Sequence, residues 1–370
     1  MRVIIAAAGT AGHINPGIAI ANKIKKESPR SEIIFLGTDR GLENDLVPRA
    51  GYTLETINAY GLSKKISLKS IKNNLKTLKG IGEAKKIVKE FKPDIVIGTG
   101  GYICGAAILA AKKYKIPTML HESNAFPGKA VKMLSKKVDT ILISFEEARK
   151  ELPQANKIVL TGTPTKIKDL HLSTTQKKEV LSRLGLKQDK PVLLIFGGSQ
   201  GAKAINDAVT GLINQNRNTD YQIMWAPGPL QFNLVKQRIK NRSKQKGLKI
   251  VPYIYNMEEV LNSVDLVLAR SGAMTITEMA ITGKPAIFVP LPNVSNNHQE
   301  YNAKVLENAG AAKIILNKDL TPETLQKEIN DIIQDPKKLA KMGENAREIA
   351  IENVEDKIYE EIKNLIRNPM

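Results

Sequence analysis

The chain has 370 residues, of which 42% are hydrophobic and 25% charged, and its formal net charge is +19 at pH 7. This length exceeds what one hydrophobic core normally supports, so we predict two domains. No apolar run approaches the roughly 20 residues of a membrane-spanning helix. A single cysteine excludes an internal disulfide, and we expect the reducing environment of the cytoplasm.

The excess positive charge lies mainly in the first half of the chain. Residues 1–163 contain 27 Lys and Arg against 14 Asp and Glu. Nucleic acid, an anionic membrane or an anionic substrate would each suit this charge. Because aromatic residues are only 5% and no zinc-finger, RNA-recognition or basic-zipper pattern occurs, we predict no nucleic-acid partner.

Short β-branched runs alternate with longer amphipathic segments, which predicts an open, parallel α/β sheet in each half. The predicted strands are RVIIAAA, EIIFLG, DIVIGTG, PTMLHE, DTILIS and KIVLTG, followed by PVLLIFGG, YQIMWA, LKIVPY, DLVLARSG, PAIFVPLP and AAKIIL. Pro164 and a polar segment follow the sixth run. We therefore predict domains at 1–162 and 163–340, and a C-terminal helix at 341–370 that packs back towards the first domain.

The stretch GTAGHINPG follows the first predicted strand. Asn15 and Pro16 match the cap and first position of a helix, so we predict that a helix starts there. A turn before a helix N-terminus suits an anion such as pyrophosphate. The glycine spacing differs from G-x-G-x-x-G, so we predict no nicotinamide cofactor. His13 either satisfies backbone groups of this loop or acts as a general base.

Two more polar clusters follow strands of the first half. Gly100, Gly101 and Tyr102 lie between a strand and an alanine-rich helix, and His121–Asn124 end the PTML run. The carboxyl ends of parallel strands meet at one edge of a sheet, where open α/β sheets bind ligands. We favour a ligand site over simple caps. We predict Cys104 to be a buried core residue rather than a nucleophile.

Segment 64–89 combines apolar residues at helical spacing with nine lysines. It fits either a solvated helix face or a surface that binds anionic lipid. The lysines are Lys64, Lys65, Lys69, Lys72, Lys76, Lys79, Lys85, Lys86 and Lys89.

The second half begins with IFGGSQGA, in which Ser199 either binds a phosphate or caps a helix. The later stretch RSGAMTITE predicts a strand, a small-residue turn and a helix that carries Glu278. Such a turn lets a diphosphate approach the backbone, and Glu278 can accept two ribose hydroxyls. The polar cluster that follows suits sugar hydroxyls and contains Asn296, Asn297, His298, Gln299 and Asn302.

Six motifs in order, over nearly the whole chain, resemble those of the MurG family of peptidoglycan glycosyltransferases: GTAGHINPG, GTGGY, HESNAFPG, GGSQGA, RSGAMTITE and HQEYNA. The resemblance implies the GT-B fold, two Rossmann-like open parallel-sheet domains with a cleft between them. It implies inverting transfer of N-acetylglucosamine from UDP-N-acetylglucosamine to the C4 hydroxyl of undecaprenyl-pyrophosphoryl-MurNAc-pentapeptide. It also implies a peripheral protein on the cytoplasmic side of the cell membrane, with the anionic membrane surface as a partner.

The resemblance assigns roles to individual residues. His13 and Glu122 are the implied catalytic residues, and Lys166 stands where the family usually has arginine, so a bidentate contact is lost. Ala8 and Ala11 replace glycines that are usual in the family. The implied substrate-binding residues are Thr10, Ala11, Gly12, Tyr102, Asn124, Lys166, Ser199, Gln200, Ile254, Ala273, Met274, Thr275, Ile276, Thr277, Glu278 and Gln299.

We predict no metal site and no tightly bound cofactor, because no motif in the sequence requires a divalent cation. Two alternatives remain open at this point. One is another GT-B enzyme that glycosylates a different lipid, such as diacylglycerol. The other is a regulator that binds a UDP-sugar without catalysis.

Overall fold

The computed structural model describes residues 1–60, 68–187, 189–198, 200–215, 220–240 and 247–369, apart from the side chains of residues 68–75. The chain packs into two compact units. Unit 1 comprises Met1–Thr165 together with Ile351–Met370. Unit 2 comprises Lys166–Ala350.

Unit 1 is built on one parallel sheet. Its strands are β1 (Arg2–Ala7), β2 (Glu32–Gly37), β3 (Thr53–Thr56), β4 (Ile95–Gly100), β5 (Thr118–Glu122), β6 (Thr140–Ile143) and β7 (Ile158–Leu160). Their order is β3-β2-β1-β4-β5-β6-β7. Residues 3–7 and 95–100 are buried throughout, because helices cover both faces of a parallel sheet.

Five helices of unit 1 follow its strands. They are α1 (Ala11–Glu27), α2 (Glu43–Arg49), α3 (Leu68–Phe91), α4 (Ile103–Lys113) and α5 (Lys129–Leu134). Helix α4 buries its alanine-rich face on one side of the sheet, and α1 buries Ile14, Ile18 and Ala21 on the other side. The sheet thus lies between two apolar layers. Because its strands are parallel, their carboxyl ends all lie at the same edge of the sheet.

Unit 2 repeats this architecture. Its strands are β8 (Val192–Phe196), β9 (Gln222–Ala226), β10 (Leu248–Ile250), β11 (Leu266–Ala269), β12 (Ala286–Phe288) and β13 (Ala312–Ile314). The order β10-β9-β8-β11-β12-β13 matches that of the Rossmann fold. The helices are α6 (Thr174–Arg183), α7 (Lys203–Asn214), α8 (Pro229–Arg238), α9 (Met257–Ser263), α10 (Ala273–Thr282), α11 (His298–Asn308), α12 (Pro322–Ile333) and α13 (Pro336–Glu348).

The last helix, α14 (Val354–Arg367), belongs to unit 1. Its side chains Ile358, Ile362 and Leu365 join the apolar core formed by β1 and α1. Two ion pairs hold its flanks: Lys23 Nζ lies 2.5 Å from Asp356 Oδ1, and Lys157 Nζ lies 2.6 Å from Glu361 Oε2. The chain therefore leaves unit 1, builds unit 2 and returns to complete the first core.

The prediction of two open parallel α/β sheets is confirmed. Each of the twelve predicted segments contains a strand, because each is a short apolar run, and most of these runs are buried. Strand β3 was not predicted, since three of its four residues are exposed and its sequence, TLET, lacks an apolar run.

Candidate active site

The first glycine turn connects β1 to α1. Gly9 has a φ of +95°, and α1 begins at Ala11, after Thr10 as its N-cap. The prediction that this helix starts at Asn15 and Pro16 is therefore wrong. Pro16 lies within the helix, which its fixed φ permits, and Ile14 and Ile18 anchor the first turns in the core. The N–H groups at the helix start are thus those of Ala11 and Gly12, which no helix carbonyl can reach.

His13 lies in the first turn of α1 and is half-buried. Its Nδ1 is 3.1 Å from the carbonyl oxygen of Ala8. Because a carbonyl oxygen only accepts hydrogen bonds, Nδ1 carries the proton of the neutral ring and Nε2 carries the lone pair. The hydroxyl of Thr99, on β4, donates to the carbonyl of His13 at 2.8 Å. The first contact leaves Nε2 as the ring nitrogen that can accept a proton, and the second holds the backbone of His13 against β4.

The second glycine turn packs against this histidine. Gly100 and Gly101 have φ values of +134° and +84°. A Cβ on Gly100 would lie 2.3 Å from Cδ2 of His13, and one on Gly101 would lie 2.8 Å from the oxygen of Ala8. The structure thus brings the first two predicted motifs together. Tyr102 follows them, half-buried against the core cluster under α4.

Glu122 ends β5 and is buried. Its Oε1 accepts hydrogen bonds from the backbone N–H and the side-chain amide of Asn124, at 2.8 and 2.9 Å, and its Oε2 accepts one from the N–H of Gly128 at 2.7 Å. Burial raises the pKa of Glu122, although these hydrogen bonds and the charge of His13 oppose the rise. Glu122 therefore organises the loop that carries Asn124, and its catalytic role stays a prediction.

Cys104 lies at the start of α4, beneath the same turns. It is 1% exposed, and burial raises the pKa of its thiol to about 12. The thiol is therefore protonated near neutral pH, which agrees with its predicted place in the core.

In unit 2, the turn after β8 also depends on glycines. Gly198 and Gly201 have φ values of +88° and +79°, and a Cβ on Gly201 would lie 1.9 Å from the oxygen of Pro227. Gln200 is exposed on this turn. Ser199 lies outside the described residues. Helix α7 begins at Lys203, just beyond the turn.

Helix α10 carries most of the other predicted donor residues. It begins at Ala273, after Gly272 in an extended conformation. Ile276 is fully buried, and its backbone N–H donates to the carbonyl of Gly272 at 3.1 Å, so its predicted contact with the substrate stays a prediction. Five predicted residues on this helix are half-buried: Ala273, Met274, Thr275, Thr277 and Glu278.

A cavity of about 570 Å³ opens at the ends of β8, β11 and β12. The glycine turn after β8, the start of α10 and the segment after β12 line it, and the predicted residues Thr275 and Gln299 face it. The backbone N–H of Leu291 donates to Oε1 of Gln299 at 2.9 Å, which directs the side-chain amide N–H groups away from that contact. The volume suits a ligand of nucleotide-sugar size.

Arg270 also lines this cavity, and its role was not predicted. Its Nη1 donates to the carbonyls of Val289 and Pro290, at 2.8 and 3.1 Å, and to Oδ1 of Asn317, at 3.0 Å. Burial lowers the pKa of its guanidinium. The one feature of the sequence that could have pointed to Arg270 is its position at the end of a strand, before Ser-Gly. Its hydrogen-bond acceptors, however, lie in a segment about 20 residues later, which the local sequence does not reveal.

Of the predicted substrate-binding residues that the structure describes, only Thr275 and Gln299 line the cavity. The predicted residues of unit 2 that do not line it are Lys166, Gln200, Ile254, Ala273, Met274, Ile276, Thr277 and Glu278. Ile254 is buried between Tyr253 and Tyr255, which are exposed and whose ring centroids lie 5.0 Å apart. Ile254 itself is only 6% exposed, so its contact with a base stays a prediction. Lys166 is exposed at the start of unit 2.

Comparison with known proteins identifies the family. Residues 3–143 match the glycosyltransferase family 28 N-terminal domain, and residues 192–360 match its C-terminal domain. Over 369 residues, the chain is 43% identical to the UDP-N-acetylglucosamine--N-acetylmuramyl-(pentapeptide) pyrophosphoryl-undecaprenol N-acetylglucosamine transferase of Acetivibrio thermocellus, with 100% of this chain and 99% of the relative covered. The chain belongs to the MurG family.

Further similarities agree with MurG membership. A transferase with the same description, from a Thermoanaerobacter species, is 42% identical over 367 residues, which cover 99% of this chain and 100% of the relative. The crystal structure of Acinetobacter baumannii MurG superposes with a TM-score of 0.80 at 28% identity, and covers 98% of this chain and 99% of that chain. The predicted GT-B fold class is confirmed.

None of the described helices combines the length and apolar character needed to span a bilayer. Within the same residues, no three His, Cys, Asp or Glu side chains cluster as a metal site would require.

Proposed function

We propose that the protein transfers N-acetylglucosamine from UDP-N-acetylglucosamine to the C4 hydroxyl of undecaprenyl-pyrophosphoryl-MurNAc-pentapeptide, with inversion at the anomeric carbon. This reaction converts lipid I to lipid II in peptidoglycan synthesis. The observation that carries the proposal is the 43% identity to a transferase of that description over the whole chain. The glycosyltransferase family 28 domains in both halves support it.

The proposed step is one displacement. The C4 oxygen of the acceptor attacks the anomeric carbon as the bond to the UDP oxygen breaks, and Nε2 of His13 takes the hydroxyl proton. The hydrogen bond between Nδ1 and the Ala8 carbonyl supports this role, because it leaves the lone pair on Nε2. The buried carboxyl of Glu122 interacts electrostatically with His13, and this interaction opposes the rise that burial causes in the pKa of Glu122.

We assign the donor to unit 2. The start of α10 directs N–H groups and the positive end of its dipole towards the cavity, where they would stabilise the UDP leaving group. Glu278 would accept the ribose hydroxyls, and the backbone of Ile254 would contact uracil. Gln299 would donate its amide N–H groups to the N-acetylglucosamine.

We assign the acceptor and the transferred sugar to the glycine turns of unit 1. Thr10, Ala11 and Gly12 carry backbone N–H groups at the start of α1, which suit the acceptor pyrophosphate. Asn124 is held by Glu122 in the neighbouring loop. The remaining substrate-binding assignments, Tyr102, Lys166, Ser199 and Gln200, stay predictions.

We further propose that no tightly bound cofactor is needed and that the protein attaches peripherally to the cytoplasmic face of the membrane. Lys79 and Lys86 on α3 are exposed, as is the apolar side chain of Leu78, and together they support an anionic surface as the partner. Reversing the charge of Lys76, Lys79 and Lys86 should weaken binding to anionic vesicles while leaving transfer to a water-soluble acceptor intact. Unchanged vesicle binding would contradict this attachment.

The test of the reaction is transfer of radiolabelled N-acetylglucosamine to a short-chain analogue of the muramyl pyrophosphoryl lipid. UDP-glucose and diacylglycerol serve as rival donor and acceptor. We expect selective transfer to the muramyl acceptor, also in the presence of a chelator. UDP binding without transfer would support a nucleotide-binding regulator instead, and preferred transfer to diacylglycerol would support a different lipid glycosyltransferase.

A further inference from the structure

A second carboxylate, Glu43, lies against the first glycine turn. Glu43 begins α2 and is 0% exposed. Its Oε2 accepts a hydrogen bond from the backbone N–H of Gly9 at 2.9 Å. Its Oε1 accepts two from Thr38, one from the backbone N–H at 3.1 Å and one from the hydroxyl at 2.7 Å. Both oxygens are therefore occupied by donors.

The surrounding backbone is shaped around this carboxylate. A Cβ on Gly41 would lie 1.9 Å from Oε2 of Glu43, and a Cβ on Gly37 would lie 2.9 Å from its Cγ. Burial alone would raise the pKa of Glu43. The hydrogen bonds from Gly9 and Thr38 lower it by more than burial raises it, so the pKa is below its ordinary value. A negative charge therefore sits beside the turn at neutral pH.

The Ala8–Gly9 peptide group connects the carboxylate of Glu43 to the imidazole of His13. The N–H of Gly9 and the C=O of Ala8 belong to the same planar peptide unit. The N–H donates to Glu43, and the C=O accepts from Nδ1 of His13 at 3.1 Å. The chain of contacts thus runs from carboxylate to peptide to imidazole, and hydrogen bonds in such a chain polarise one another.

We propose that Glu43 is a positioning residue for the reaction, acting on His13 through the Ala8–Gly9 peptide. Its carboxylate holds the peptide plane with the Ala8 carbonyl towards His13, so that the neutral ring keeps its proton on Nδ1. Nε2 then keeps its lone pair and can accept a proton. The effect of Glu43 on catalysis rests on the proposed function, whereas its effect on the tautomer of His13 does not.

A structural anchor alone does not account for this arrangement. Glycine at position 9, with its positive φ, permits the preceding peptide to flip at little cost. A flipped peptide would direct the Ala8 oxygen at the carboxylate of Glu43 and would remove the acceptor from His13. Because a carboxylate has no hydrogen to donate, Glu43 tolerates only the observed orientation.

The test is Glu43→Gln, with Glu83→Gln as the matched control. Glu83 is also a carboxylate of unit 1 that accepts backbone and amide hydrogen bonds, from Asn58 at 2.8 and 3.1 Å, but not from the Gly9 turn. In the Glu43→Gln variant, the two Thr38 donors retain the amide oxygen, and the amide NH₂ then faces Gly9. The amide NH₂ and the N–H of Gly9 are both donors and cannot form a hydrogen bond with each other. We therefore expect the Ala8–Gly9 peptide to flip, which removes the Ala8 carbonyl from Nδ1 of His13.

The first readout is the imidazole tautomer, measured by long-range ¹⁵N–¹H correlation, with His13 assigned among the four histidines by comparison with a His13→Gln sample. We expect an Nδ1–H ring in the wild type and in Glu83→Gln, and loss of that form in Glu43→Gln. An Nε2–H ring in the wild type, or a retained Nδ1–H ring in a folded Glu43→Gln variant, would overturn the proposal. These outcomes hold even if the wild type transfers no sugar.

The second readout is catalysis. We expect the kcat of Glu43→Gln to fall by about 10-fold or more, because Nε2 then carries the proton, and the KM for UDP-N-acetylglucosamine to stay unchanged. If Glu43→Gln does not fold, Thr38→Val removes the hydroxyl that donates to the same carboxylate. A kcat and an Nδ1–H ring that are both unchanged in that variant would count against the proposal.

Discussion

Gly100 lacks a side chain where the imidazole of His13 lies, since a Cβ would come within 2.3 Å of its Cδ2 atom. Gly100→Ala should therefore displace the ring and also strain a backbone with a φ of +134°. We expect kcat to fall by about 100-fold, while UDP affinity, measured by calorimetry, stays unchanged. Gly105→Ala is the control, because no atom lies within 4 Å of a Cβ at that helical position. Equal activity of the two variants would contradict the packing argument.

Removal of the imidazole tests its assignment as the base. His13→Ala should lower turnover by orders of magnitude, because proton transfer from the acceptor hydroxyl loses its catalyst. UDP binding should persist, since the donor residues lie in unit 2. Single-turnover kinetics with saturating donor separate the two effects. A variant that keeps more than about a tenth of wild-type turnover would assign the base elsewhere.

Arg270 holds the wall of the donor cavity through three acceptors on one guanidinium nitrogen. Arg270→Lys keeps the charge, but the shorter lysine side chain does not reach the position of Nη1, so the segment that carries Leu291 and Gln299 should loosen. We expect the KM for UDP-N-acetylglucosamine to rise by about 10-fold, as measured by initial rates. Arg183→Lys, at an exposed ion pair with Glu259, should behave as the wild type. A normal KM in Arg270→Lys would show that these three hydrogen bonds are dispensable.

Lys284 gives unit 2 a defined pH dependence. It is 7% exposed, donates to the carbonyls of Val264 and Asn262 at 2.8 and 3.3 Å, and burial lowers its pKa to about 8. The unfolded chain holds this proton up to about pH 10.4. Between these two pH values the unfolded chain binds more protons than the folded protein does. The charged Lys284 ammonium therefore destabilises the fold fully below pH 8, and this destabilisation decreases as the pH rises above 8.

Urea unfolding of the wild type and Lys284→Met at pH 7 and 9.5 measures this effect. We expect the free energy of unfolding of the wild type, relative to the variant, to increase by about 2 kcal/mol between these pH values. Lys313→Met, at an exposed lysine on β13, controls for general titration. A pH-independent difference between the wild type and Lys284→Met would mean that the buried amine does not titrate there.

The sequence predicted the sheets well because parallel strands are buried on both faces and so consist of apolar runs. It missed β3, whose residues are mostly exposed, and misplaced the start of α1, because Asn15 and Pro16 satisfy a local cap pattern that packing overrides. The local sequence shows which residues can cap a helix. It does not show at which of these residues the helix starts once it packs against the sheet.

The same limit applies to the site. The motifs with His13, Gly100 and Glu122 were predicted to meet because adjacent parallel strands end at one edge. The roles of Glu43 and Arg270 were not, since their partners are Gly9 and Pro290, which are 34 and 20 residues distant. Such contacts leave no spacing signature in one sequence.

The return of α14 to the core of unit 1 affects the order of synthesis. Unit 2, Lys166–Ala350, is in effect inserted into unit 1, whose apolar core needs Ile358, Ile362 and Leu365 from the last 20 residues. During translation, these side chains arrive only after all of unit 2 has been made. The nascent first unit must therefore wait on the ribosome with part of its core uncovered, and the half of the protein that is begun first is completed last.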